Sequence, residues 1–238
     1  MWEWLLAPVD PSRAHDVGVA LAYHARLMVL AWAVCVPIGI IAARFYKITP
    51  RQNWPLELDN QSWWITHRVV QYGATVFMVA ALTLTLWRPQ LAAVLPGPHA
   101  FIGWTVLALA ATQVVGGILR GSKGGPTDTQ MRGDHYDMTP RRLLFEYAHK
   151  SLGYVAWVLS CVAVFTGLWQ SNGPNWMWIA LGLWYLVLVA VFAWLQAQGR
   201  AADTYQAIWG SDPNLPGNKR PVIGIGVLRT HTKSDASR

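Results

Sequence analysis

The sequence predicts an all-α fold: an integral membrane helical bundle in which five helices cross the bilayer. Three observations carry this. Of 238 residues, 53% are hydrophobic and only 13% charged, against about 25% charged in ordinary soluble domains. Five apolar runs each approach the roughly 20 residues that span a hydrocarbon layer. Many of the 15 tryptophans, among them Trp54, Trp63, Trp64, Trp87, Trp169, Trp176, Trp178 and Trp209, fall near the ends of those runs, where an amphipathic indole suits the headgroup level.

In chain order, residues 1–16 form an outer segment. MWEWLLAPVDPSRAHDVG has no basic start, no continuous apolar core and no small-residue cleavage site, so it does not read as a secretory signal. Trp2, Trp4, Leu5 and Leu6 either rest at the outer interface or belong to a disordered end. Residues 17–197 form the membrane domain, with spans at 17–43, 63–86, 100–119, 143–168 and 176–195. Pro37 and Gly39 are expected to kink the first span. The connections 46–62 and 121–142 are long and rich in Pro, Gly, Asp and Thr; 88–98 and 170–175 are short. Residues 198–238 change composition and read as a mostly irregular cytoplasmic tail whose middle docks on the bundle or on a partner.

The net charge of +7 reports topology rather than a nucleic-acid partner. Arg44, Lys47 and Arg51 follow the first span. Arg120, Lys123, Arg132, Arg141 and Arg142 follow the third, and Arg200, Lys219, Arg220, Arg229, Lys233 and Arg238 follow the fifth. The opposite side has only Arg13 and Arg88. Basic residues accumulate on cytoplasmic loops, so the amino terminus is expected outside and the carboxyl terminus in the cytoplasm, in a membrane of the bacterial inner-membrane kind.

Of seven histidines, His15, His135 and His231 lie in polar segments and are expected to be solvated. The other four, His24, His67, His99 and His149, occur once in each of the first four spans, each near the start of its helix. At 1.5 Å per residue, the stretches 24–44, 67–87, 99–120 and 149–169 each cover about 30 Å, close to a hydrocarbon thickness. Every histidine therefore sits near one membrane face. Successive helices alternate direction, so His24 and His99 fall toward the outer face and His67 and His149 toward the inner. Two ligands share a metal only at equal depth, which permits those two couples and excludes sequence neighbours. A lone intramembrane histidine is often an interhelical hydrogen-bonding residue, but four, one per span and matched in depth, are not explained that way. A closed zinc site would gather four ligands at one place. A porphyrin supplies the remaining four coordination positions of an iron, so the expectation is two haem b groups in a central four-helix core, ligated by His24/His99 and His67/His149. No CxxCH is present for covalent haem attachment, and Cys35 and Cys161 read as small packing residues.

Gly103 and Gly153 each follow a histidine by four, on the same helix face, leaving room either for a porphyrin edge or for close helix packing. Arg26 either snorkels to the outer headgroups or reaches a haem propionate. Arg44, Arg68, Arg142 and Lys150 are placed at the inner surface, where they either partner propionates or reflect the basic inner face alone.

The segments HARLMVLAWAVCVPIGIIAARFYK, WWITHRVVQYG, HAFIGWTVLALAATQVVGGILR and YAHKSLGYVAWVLSCVAVFTGL together resemble the cytochrome b561 family, especially the form attached to DOMON domains, over residues 21–168. The resemblance implies two non-covalent b haems, with the first and third histidines sharing one and the second and fourth the other, and electron transfer across the membrane. Arg44 and Arg142 match arginines of the family pattern. Ascorbate-using members carry a lysine shortly before the second-span histidine, where this chain has Trp63, Trp64 and Ile65; they carry an SLHSW motif where this chain has PGPHAF. Neither ascorbate as donor nor that outer substrate site is carried over. A separate outer partner is expected to take the place of a DOMON domain.

The main expectation is a one-electron conduit with a redox donor and acceptor on opposite faces. The outer partner is expected to be a soluble electron-transfer protein, a ferric chelate or a small organic molecule. A second reading is a quinol-linked cytochrome b subunit of a larger membrane oxidoreductase, with a quinone site beside one haem. A third is a haem-free transporter or structural subunit. The surroundings are expected to be the lipid bilayer, with an oligomer or a larger complex open and no nucleic-acid partner.

Overall fold

A computed structural model describes residues 1–87 and 97–229. Arg88, His231, Lys233, Arg238 and the 88–98 connection short of Gly97 lie outside the described residues. The chain is α-helical, and no strand is present among the described residues. Among the described residues five helices are long and apolar enough to cross a membrane, and the protein is an integral membrane protein.

A short helix α1 (Trp2–Leu6) precedes the first span α2 (Gly18–Phe45). Then follow α3 (Ser62–Leu86) and α4 (Pro98–Ile118). A single turn α5 (Asp134–Asp137) leads into α6 (Pro140–Gln170), and α7 (Asn175–Ala197) completes the five. The tail adds α8 (Thr204–Trp209) and a 3₁₀ turn at Pro216–Lys219.

Helix ends overrun the apolar runs where local chemistry extends them. α6 begins at Pro140, whose missing N–H is no loss in a first turn, so Arg141 and Arg142 become helical although neither is apolar. α7 ends where Gly199 adopts φ +68°, a left-handed cap that glycine takes without Cβ strain, and Arg200 N donates to Leu195 O at 3.2 Å. Asp203 caps α8, its Oδ1 accepting from Tyr205 N at 3.3 Å.

The irregularity expected at Pro37 is present as a π-helical turn over Leu30–Cys35. Pro37 has no N–H to offer the Ala33 carbonyl four residues back. The Trp184 indole N–H donates to that carbonyl at 2.7 Å instead, and Gln71 Nε2 donates to Val36 O at 3.2 Å. Gly39 is needed here: a Cβ would lie 2.4 Å from Gln71 Nε2.

The chain divides into two compact units. One comprises Met1–Gly39, Val69–Ala111 and Tyr154–Val191. Its amino-terminal segment is ordered on the α6–α7 turn: the buried Asn172 accepts from Asp10 N at 2.9 Å and donates to Asp10 O at 3.0 Å and Arg13 O at 2.6 Å. The other comprises Ile40–Arg68, Thr112–Gly153 and the chain from Phe192 onward. Its core packs Met138, Tyr205, Ile208, Trp209 and Ile223 together, so the tail helix is wholly buried. A tail expected to be mostly irregular thus contributes a core, because TYQAIW places large apolar rings in one short turn of helix.

Candidate haem-binding site

Each unit contains one pair of the four span histidines. In the first, the His24 and His99 rings have centroids 6.3 Å apart and planes at 88°. In the second, His67 and His149 are 6.2 Å apart at 72°. A metal about 2 Å from each nitrogen, plus a ring radius of about 1 Å on either side, separates two ligating imidazole centres by about 6 Å. Among the described residues no three His, Cys, Asp or Glu side chains gather as a metal-holding group; the histidines meet in twos. That donor set fits a group that brings four equatorial ligands of its own.

The first pair is held in a ligating tautomer. His24 Nδ1 lies 3.1 Å from Ala81 O and His99 Nδ1 lies 2.9 Å from Ala163 O. A carbonyl can only accept, so each Nδ1 carries the proton and each Nε2 keeps its lone pair, the usual second-shell arrangement of a ligating histidine. The His99 ring also rests against Gly167, where a Cβ would come within 2.8 Å of Cε1 and 3.0 Å of Nδ1. In the second pair, Trp64 stacks on His67 at 6.2 Å and 22°, and Phe145 lies 4.9 Å from His149. His149 Nδ1 is buried with no hydrogen-bond partner.

The other residues singled out in the sequence are distributed as follows. Gly103 has nothing within 4 Å of where a Cβ would stand, and at Gly153 only Gln113 comes near, at 3.5 Å. Arg26 is exposed and lies over the Tyr23 ring at 5.4 Å. Arg68 is exposed, 5.6 Å from the Trp64 ring, whose centre Arg120 also approaches to 4.0 Å. Arg44 donates to Gln196 Oε1 at 2.8 Å and Ile225 O at 2.6 Å. Arg142 and Lys150 both grip Glu146, and Lys150 also donates to Ile223 O at 3.1 Å. Arg44, Arg142 and Lys150 thus each have protein acceptors in hand.

Several residues escaped the sequence reading. Glu146 is buried one turn before His149, and its spacing of four from both Arg142 and Lys150 was the available signal. Lys47 is buried and donates to Ala202 O at 2.9 Å; burial, with Lys150 beside it, lowers its pKa to about 7. His135 corrects the expectation of a solvated loop residue. It is 1% exposed, enclosed by Tyr205 and Trp209, because the tail covers the turn that carries it. Burial first, and then Arg142, hold its pKa down at about 3. His15, by contrast, is exposed, with Nδ1 2.8 Å from Ser171 O.

The family described as eukaryotic cytochrome b561 matches residues 23–173. The chain is 29% identical over 191 residues to a cytochrome b561, DM13 and DOMON domain-containing protein of Arabidopsis thaliana, covering 78% of this chain and 19% of that protein. It is 28% identical over 167 residues to ferric-chelate reductase 1 of Homo sapiens, covering 68% and 24%. To ferric-chelate reductase 1 of Mus musculus it is 28% identical over 157 residues, covering 62% and 22%. The chain therefore spans about a fifth to a quarter of the length of these relatives. No solved structure matches it. With all four span histidines inside the matched region, the chain belongs to the cytochrome b561 family of haem-b-binding transmembrane electron-transfer cytochromes.

Proposed function

We propose that His24 with His99, and His67 with His149, each hold one haem b, and that the chain passes single electrons between the two faces of the membrane. The observation that carries this is the matched spacing of the two ring pairs, 6.3 and 6.2 Å. Haem supplies a one-electron couple, and two imidazoles leave no open coordination position for oxygen chemistry. The protein's own contribution is to fix the ligands. The Ala81 and Ala163 carbonyls hold two imidazoles in the ligating tautomer, and Trp64 and Phe145 pack against the other two.

The His24/His99 pair is assigned to the outer face and His67/His149 to the cytoplasmic face. The basic connections after the first, third and fifth spans support this orientation, with the carboxyl terminus inside. The proposed domain limits are 1–16 for the outer segment, 17–197 for the membrane domain and 198–238 for the tail. Two of the relatives carry the name ferric-chelate reductase, which supports a ferric chelate as the outer electron acceptor. The test is reconstitution into sealed vesicles with a reductant trapped inside and a ferric chelate with a ferrous-iron indicator outside. The proposal expects indicator colour only in vesicles containing the haem-loaded chain. Equal colour with vesicles of a His24→Ala, His67→Ala double variant would overturn it.

A further inference from the structure

Helix α6 carries Arg142, Glu146 and Lys150 at intervals of four, one above another on a single helix face. Glu146 is 4% exposed. Its Oε1 accepts from Arg142 Nε at 3.1 Å and Nη2 at 2.6 Å, and its Oε2 pairs with Lys150 Nζ at 2.5 Å. His135 Nε2 stands 3.8 Å away. A buried carboxylate is costly unless it is paired and hydrogen-bonded, and here both oxygens are engaged. On the same helix Glu146 lies three residues before His149, about one turn away, and Lys150 follows His149 directly.

Resting on the reading that His67 and His149 hold a haem, we infer that Glu146 is a positioning residue of that inner centre. It pins Arg142 and Lys150 and, by its own charge, holds the centre's reduction potential down. Adding an electron places negative charge beside a buried anion in a poorly screening interior, which disfavours the reduced form; flanking cations favour it. Removing the anion leaves Arg142 and Lys150 unopposed. Glu146→Gln keeps one amide oxygen to accept from one of the two cations at nearly the same side-chain volume, so the charge goes while most of the packing stays.

The test is an anaerobic redox titration of the haem-loaded full chain, followed spectroscopically, for Glu146→Gln, Glu146→Asp and Arg142→Gln. The expected result is an upward shift of one midpoint in Glu146→Gln, at the centre that His67→Ala abolishes. The other midpoint stays in place, Glu146→Asp returns the shifted one toward its original value, and Arg142→Gln moves it the opposite way. Unmoved midpoints, a shift confined to the outer centre, or shifts of one sign in both Glu146→Gln and Arg142→Gln would overturn the inference, the last because loosening alone gives it. Fewer than two centres in the unaltered chain overturns the di-haem reading as well, whereas two centres without the shift overturns this inference alone.

Discussion

Gly167→Ala isolates the support of one ligand from the ligand itself. The new Cβ would stand 2.8 Å from Cε1 and 3.0 Å from Nδ1 of His99, where carbon atoms rest comfortably only at about 3.5–4.0 Å. The imidazole must therefore retreat by roughly 1 Å. Its Nδ1–H bond to Ala163 O, 2.9 Å long, then stretches past hydrogen-bonding range. Loss of such an outer-shell partner costs about 10–100-fold in affinity for the bound metal, or about 1.4–2.7 kcal/mol. The backbone effect runs the other way, since alanine is favoured over glycine within a helix by about 0.5–1 kcal/mol. General unfolding is thus not the expected outcome. The assay is haem transfer to excess apomyoglobin, followed by absorbance, in otherwise unaltered protein and in His24→Ala and His67→Ala backgrounds. Haem should leave about 10–100 times more readily from the centre that survives in the His67→Ala background, and at an unchanged rate from the one that survives in His24→Ala. Unchanged release from both centres, or faster release from the second, would refute the reasoning.

Two further consequences follow. Because burial and Arg142 keep His135 neutral down to about pH 3, against an ordinary value of 6.5, the unfolded chain binds more protons than the folded one between those limits. Stability then falls as pH drops through that window; thermal unfolding in detergent should show His135→Phe flattening that dependence, and identical slopes would contradict it. Tyr205, 1% exposed and donating to Tyr136 O at 2.9 Å, anchors the tail. Truncation to alanine should cost about 3–5 kcal/mol locally, read as faster amide exchange over residues 204–209, and unaltered protection there would count against the tail as a core element.

The spans were legible because hydropathy at a length of about 20 residues reports a bilayer crossing directly. The histidine couples were legible because helix direction converts sequence position into depth. What stayed hidden depended on contacts between segments distant in sequence. Gly103 and Gly153 have the right offset from a histidine, yet the glycine touching an imidazole is Gly167, on a different helix from His99. Arg142 and Lys150 read as propionate partners or as part of the basic inner face, whereas the acid that claims both sits between them in the sequence. His135 looked solvated because its neighbours in sequence are polar, whereas Tyr205 and Trp209, some 70 residues on, enclose it. The tail's low hydropathy concealed a six-residue helix whose every position is buried.

The most direct measurement is haem per chain and the number of redox steps in the four single variants His24→Ala, His99→Ala, His67→Ala and His149→Ala. The account predicts two groups: the first two lose one centre, the last two lose the other, and changing both members of a couple removes nothing more than changing one. Loss of a common centre in His24→Ala and His67→Ala would contradict it.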